Sequence, residues 1–378
     1  MIKIILVAGA RPNFMKIAPL MDAFRARPQI KAVLVHTGQH YDPAMSDLFF
    51  QQLGIPEPDV NLGVGSASHA IQTAEIMRAF EPIILAKKPD AVLVVGDVNS
   101  TIACGLVAVK LGVRLIHVEA GLRSFDRTMP EEINRILTDA ISDVLFCSEQ
   151  SGVENLRREG VPEEKSHLVG NVMIDTLLKY REKAEQSKIL DDLGLNDGRP
   201  YAVVTLHRPV NVDVPENFGR ILMALEEISR EIPVIFPVHP RTRTMMRQLN
   251  LGTTSYHSED TFSAHSAPPN LLLVEPLGYL DFLKLMAHAR IVLTDSGGIQ
   301  EETTILKIPC LTLRENTERP VTVEMGTNRL VGSDPRLIIQ AYRDVSASFP
   351  KRQSFPVPPL WDGRAAERIA DILELILK

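Results

Sequence analysis

Residues 291–302 read IVLTDSGGIQEE. A short apolar run meets Asp295 and Ser296, then the pair Gly297 and Gly298, then Glu301 and Glu302. A strand apolar on both faces belongs in a parallel sheet covered by helices. The glycines place bare backbone where a helix begins, and there the first N–H groups have no acceptor inside the helix. Such a terminus binds phosphate through those donors and through the helix dipole. Ser296, Gly297 and Gly298 therefore read as phosphate contacts. Glu302, a turn further in, is placed to accept hydrogen bonds from ribose hydroxyls. The alternative is that Ser296 only caps the helix and the carboxylates only suit its positive end.

The same kind of strand recurs along the chain. IKIILV (2–7), AVLVH (32–36), AVLVV (91–95) and RLIHV (114–118) form one set. YAVVTL (201–206), VIFPV (234–238), LLLV (271–274), IVLT (291–294) and CLTL (310–313) form a second. Helical patterns lie between them, such as residues 70–88 and 217–232. Strand–helix alternation throughout implies doubly wound α/β units with right-handed crossovers. The polar stretch LDDLGLNDGRP (190–200) and the proline-rich SASFPKRQSFPVPPLWDG (346–363) read as joints. The expected organisation is two Rossmann-like domains facing each other across a cleft. Residues 1–170 form the first, 171–361 the second, and the amphipathic helix 362–378 packs back on the first.

At 378 residues, two domains are the default for the length. With 45% hydrophobic and 23% charged residues, the composition is that of an ordinary globular protein. A net charge of −6 argues against nucleic acid as a partner. Cys104, Cys147 and Cys310 lack metal-ligand spacing and read as reduced core thiols. The first apolar run is too short for a signal peptide, and no stretch reaches the length of a membrane helix. A cytoplasmic protein without membrane contact is expected. Asn99-Ser100-Thr101 reads as a helix cap rather than a glycosylation site. His36 and His40 sit on a strand and a turn, so no metal pair is expected.

Ligands bind beyond the carboxyl ends of strands in open α/β sheets, and here nearly every strand ends in an ionisable residue. Arg11 and Lys16 follow the first; cations at a helix start oppose its dipole, which points to an anionic ligand. Asp97, Glu119 and Glu131 follow later strands of the first half. Like charges crowded at one sheet edge raise at least one pKa and separate acid from base roles. In the second half His207 and Arg208, then His239, follow strands; His207 is placed to donate to a phosphate or leaving group, and His239 could instead cap a helix. His117, inside its strand, reads as a core histidine. Arg314, Glu318 and Arg319 follow CLTL, and arginine matches phosphate oxygens bidentately. Arg314 with Glu318 could equally be a surface pair. No GxGxxG follows the first strand and no Walker lysine is present, so a nicotinamide site is unsupported.

GARPNFMKIAPL, TGQHYD, GDVNST, HVEAGLRS, MPEEINRILTD, GNVMIDTL, TLHRPVNVD, PVHPRT, TDSGGIQEE and TERP run in consistent order from Gly9 to Pro320. Together they closely resemble the non-hydrolysing UDP-N-acetylglucosamine 2-epimerases. The resemblance implies a glycosyltransferase-B fold, a UDP-sugar substrate, a homodimer, and neither cofactor nor metal. It implies reversible inversion at C2 through UDP elimination and re-addition, supplying precursors of cell-surface polysaccharide. Arg11, Lys16, His207, Phe282, Ser296, Gly297, Gly298, Glu302 and Arg319 are implied to bind the substrate, and Asp97, Glu119 and Glu131 to be catalytic with His207 assisting. Asp42 stands where some relatives have a glutamine that serves an activating second substrate site. A UDP-2,3-diacetamido-glucuronate epimerase and a hydrolysing epimerase are the alternatives.

Overall fold

The computed structural model describes residues 1–38, 52–238, 242–243, 245–246, 270–348 and 355–377, excluding the side chain of Arg11. His40, Asp42 and His239 lie outside the described residues. The chain divides into two compact units, Met1–Tyr180 with Pro358–Lys378, and Arg181–Val357.

Among the described residues the first unit holds seven strands: β1 (Ile2–Ala8), β2 (Ile30–His36), β3 (Val60–Asn61), β4 (Ala91–Val95), β5 (Arg114–Val118), β6 (Val144–Cys147) and β7 (Ser166–Leu168). They form one sheet in the order β3-β2-β1-β4-β5-β6-β7. Every pairing is parallel. β4 is buried at all five positions, as a strand covered on both faces must be. Ile5, Val7, Val33, Val92 and Val94 pack with Phe80, Ile84 and Val107 from the covering helices.

The second unit repeats the plan with β8 (Ala202–Thr205), β9 (Val234–Pro237), β10 (Leu271–Val274), β11 (Ile291–Thr294), β12 (Cys310–Thr312) and β13 (Asn328–Leu330). Their order is β10-β9-β8-β11-β12-β13, again all parallel. Val204, Phe236, Leu273, Leu293 and Leu311 form its core with Phe218, Leu225 and Ile338. In both sheets the strand order reverses next to the first strand, between β1 and β4 and between β8 and β11. Such reversals are where ligands bind in doubly wound sheets.

The strand runs read from the sequence are all present, but β3, β6, β7 and β13 escape that reading. β3, β7 and β13 are only two or three residues long and partly exposed, so they carry no clear apolar run. The first unit extends through Tyr180 rather than stopping at residue 170. The Val172–Ala184 helix is tied to it by Asp175, whose carboxylate accepts the Ala365 and Ala366 N–H groups at 3.1 and 2.7 Å. These two bonds cap the terminal Ala365–Ile376 helix, which packs on the Arg11–Arg25 helix. Just before it, Trp361 is buried and donates from Nε1 to Ser148 O at 2.9 Å. Among the described residues no helix is long and apolar enough to cross a membrane.

Candidate active site

In the first unit the reversal point is stitched by Asn13. Its Oδ1 accepts the N–H groups of Gly9 and Ala10 at 3.0 and 2.9 Å, and its Nδ2 donates to Val95 O at 3.2 Å. The ends of β1 and β4 are thus held together. Lys16, one turn along the same helix, reaches the Glu119 carboxylate in an ion pair whose side chains are 7% and 6% exposed. Gly96 sits beside them with φ +66°; a Cβ there would lie 2.9 Å from Lys16 Nζ and 3.9 Å from Glu119 Oε2. Only glycine leaves that space open. Lys16 is therefore an internal counter-ion to Glu119.

Glu119 follows β5 with φ +74°, a conformation that costs a residue bearing Cβ on the order of 1–2 kcal/mol. Asp139 holds it there. Oδ1 of Asp139 lies 2.6 Å from His117 Nδ1, and Oδ2 accepts the Gly121 N–H at 3.0 Å, so one carboxylate grips the chain on both sides of Glu119. His117 Nε2 is 2.8 Å from Gly96 O, which extends the clamp to β4. Burial pushes the Asp139 carboxyl upward, but His117 and Arg123 beside it overcome this and hold it below the ordinary value. His117 is a fully buried core residue, as read from its strand.

Asp97 pairs with Arg135, which also holds Glu132 through Nε and Nη2 at 3.0 and 2.7 Å. Glu132 in turn accepts the N–H groups of Ser124 and Phe125. Burial raises the Glu132 carboxyl, yet these bonds and Arg135 bring it below its usual range. The expected crowding of like charges is thus replaced by pairing: Glu119 has Lys16 and Asp97 has Arg135. Glu131 is half-buried in the first turn of the Pro130–Ile141 helix, with no side-chain hydrogen bond or ion pair among the described residues. The sequence reading missed Glu132, Arg135 and Asp139. Their signal is spacing on one helix face that is polar yet buried, while Ile133 and Leu137 on the same helix are 42% and 48% exposed. Asn99 is not the expected cap; Val98 precedes the helix, and Asn99 instead bonds to Gln72 and Asn134.

In the second unit the Gly297–Leu306 helix starts at the β8/β11 reversal. Ser296 precedes it but makes no side-chain cap bond, and the Gly297 and Gly298 amides have no acceptor among the described residues. A Cβ on Gly297 would lie 2.3 Å from Arg319 Nη1 and 2.8 Å from Glu318 Oε1, so a guanidinium stands directly over the open helix end. Arg319 donates to Glu301 and Glu318, each at 2.6 Å. Arg314 reaches Glu318 at 2.7 Å, and Arg208 approaches it at 3.5 Å. The Arg314–Glu318 pair is buried, not the surface pair allowed by the sequence. Burial raises the Glu318 carboxyl, but the three arginines hold it well below the usual carboxylate value.

Glu302, 2% exposed, accepts the Tyr279 hydroxyl at 3.1 Å. Burial lifts its carboxyl to about 8 against that hydrogen bond, and neighbouring Glu301 adds to the rise. Phe282, half-buried, lies on the Tyr279–Ala287 helix that brings Tyr279 to Glu302. His207 follows β8 and meets buried Asp295, 2.8 Å from its Nδ1. Among the described residues no cluster of three or more His, Cys, Asp or Glu is arranged to hold a metal ion.

Two parallel doubly wound sheets, one with an arginine-flanked open helix terminus, define a two-domain α/β protein of the glycosyltransferase-B class. The sequence model of the UDP-N-acetylglucosamine 2-epimerase family matches residues 22–374, and the chain belongs to that family. It is 41% identical to the UDP-N-acetylglucosamine 2-epimerase of Methanocaldococcus jannaschii, covering 98% of both chains. It is 38% identical to the UDP-2,3-diacetamido-2,3-dideoxy-D-glucuronate 2-epimerase of Pseudomonas aeruginosa, over 98% of this chain and 99% of that one. The crystal structure of the M. jannaschii enzyme with UDP-GlcNAc and UDP superposes with a TM-score of 0.87, at 39% identity over 99% of this chain and 100% of that one.

Proposed function

We propose that this protein interconverts UDP-N-acetylglucosamine and UDP-N-acetylmannosamine by inverting C2 without net hydrolysis. The second unit holds UDP: pyrophosphate at the Gly297 and Gly298 amides with Ser296, Arg319, Arg208 and His207, ribose at Glu302, and the base near Phe282. The first unit supplies acid–base groups from Asp97, Glu119 and Glu131, with Arg11 and Lys16 completing the binding set; His239 is a further contact. The observation that carries this reading is Glu119 held in a strained backbone conformation, gripped on both sides by Asp139 and paired with Lys16. Such strain persists only where surrounding structure over-determines it, and it clusters at functional sites.

The C2 proton of this sugar is not acidic, because C1 carries no carbonyl. Inversion therefore begins as the C1–O bond breaks and its electron pair leaves on UDP. A carboxylate then removes the C2 proton, giving 2-acetamidoglucal. Protonation from the opposite face and return of UDP to C1 complete the cycle. Two faces require two acid–base groups, which accounts for more than one carboxylate.

Incubation with UDP-N-acetylglucosamine in deuterated water tests the proposal: deuterium enters C2 and the UDP conjugate of N-acetylmannosamine accumulates. Release of free N-acetylmannosamine with UDP would establish a hydrolysing enzyme instead. Asp97→Asn and Glu119→Gln each lower kcat by roughly 10³-fold or more while UDP affinity stays within about threefold. An equal fall in UDP binding would make these residues ligand contacts. The likeness to the P. aeruginosa enzyme supports a second reading, the diacetamido-glucuronate substrate, so that UDP-sugar belongs in the same assay. We further take the protein to be a cytoplasmic homodimer serving cell-surface polysaccharide synthesis; light scattering tests its oligomeric state.

A further inference from the structure

His207 presents a mostly solvent-facing ring, with its side chain 60% exposed, yet Nδ1 lies 2.8 Å from Oδ1 of a fully buried carboxylate, Asp295. That carboxylate is fixed from several directions. It accepts the His207 N–H at 3.1 Å and the Arg208 N–H at 3.0 Å, so it grips the backbone as well as the ring. Asn211 donates to it at 3.1 Å and also to Leu313 O at 3.0 Å, which ties the arrangement to the end of β12. Arg208 Nε donates to the Asp295 carbonyl at 2.9 Å. Burial raises the Asp295 carboxyl, while His207 and these donors bring it below its ordinary value.

A solvated imidazole can rotate and can carry its single proton on either nitrogen. A fixed carboxylate at Nδ1 removes both freedoms: it demands N–H at Nδ1 and leaves Nε2, on the other edge of the ring, as the exchangeable site. Asp295 also directly precedes Ser296, Gly297 and Gly298, so one rigid turn sets both the ring and the proposed phosphate-binding amides.

We propose that Asp295 is a positioning residue that holds His207 with Nε2 directed at the departing β-phosphate. The inference rests on the UDP-sugar reading above. As C1–O breaks, its electron pair passes to the phosphate oxygen and the Nε2 proton moves to that oxygen, leaving a neutral ring with N–H at Nδ1. On return of UDP the proton goes back to Nε2. No other reactant is consumed.

A double-variant cycle separates positioning from general support. Asp295→Asn keeps the shape and one acceptor oxygen but removes the charge. It is expected to lower kcat by roughly 10²-fold, with UDP affinity within about threefold. His207→Gln shows a similar loss, and the double variant is no slower than His207→Gln alone, because the two residues act as one unit. Multiplying losses, or a loss of UDP affinity matching that of kcat, would overturn the proposal. Nitrogen-15 spectra of the imidazoles, with His207 assigned by its absence in His207→Gln, give a readout independent of turnover. The neutral His207 ring should carry its proton on Nδ1 in the wild type and lose that preference in Asp295→Asn; a neutral ring whose single proton sits on Nε2 in the wild type sinks the idea. If the wild type fails to epimerise either UDP-sugar yet shows the Nδ1 tautomer, the substrate reading fails and the positioning role stands.

Discussion

Glu302 is a buried carboxyl whose folded-state pKa, about 8, lies above its ordinary 4.5. An acid raised in this way takes up a proton on folding, so its contribution is fully present below about 4.5 and is lost as the pH rises to about 8. Glu302→Gln removes that dependence. In the absence of ligand it should match the wild type near pH 4 and exceed it in Tm at pH 9, while weakening UDP binding about tenfold because an amide N–H replaces an oxygen that can accept from ribose. Thermal melts at the two pH values check the first part, and calorimetric titration with UDP the second. Positions such as Asp97, Glu119 and His207 were legible in the sequence because apolar runs end visibly, and the residue after each strand is then known. Their partners were not. Lys16 with Glu119, and Arg135 with Asp97, join segments far apart in the chain, and nothing local announces which cation meets which carboxylate.

Two helices carry the consequences at the next scale. The Gly297–Leu306 helix has its first residue pressed against Arg319 and Glu318. Gly297→Ala should therefore displace that guanidinium, cost about 1–3 kcal/mol by overpacking, and lower UDP affinity well beyond the stability change; urea unfolding and UDP titration measure the two effects. The Pro130–Ile141 helix is inverted, with charged residues inward, and its Asp139 clamps the turn bearing Glu119. Asp139→Ala removes the carboxylate shared by buried His117 and Arg123, with an expected cost of about 3–5 kcal/mol in urea unfolding. The sequence marked where the Gly297 helix begins but gave no inward face for either helix, because charges that satisfy one another can be buried. Long central strands were legible for the opposite reason, since burial on both faces leaves an unbroken apolar run, while the short edge strands β3, β7 and β13 leave none.

At the scale of the molecule, the proline-rich segment read as a joint leads into Trp361 and the capped Ala365–Ile376 helix of the first unit. The sequence suggested that return; the anchor, Asp175, was hidden because a lone aspartate within a helix gives no sign of capping another. Asp175→Ala frees two N–H groups and should destabilise the first unit by about 1–2 kcal/mol. Since the chain has one tryptophan, its emission during urea titration follows this segment directly, and an unchanged midpoint would show that the cap contributes nothing. The order of the segments also has a consequence for birth of the protein. The ribosome releases Met1–Tyr180 first, yet the tail that closes over it emerges only after the whole of Arg181–Val357. The first unit must therefore wait, with the Asp175 carboxylate and the Ser148 carbonyl lacking their partners, until Pro358–Lys378 has been made.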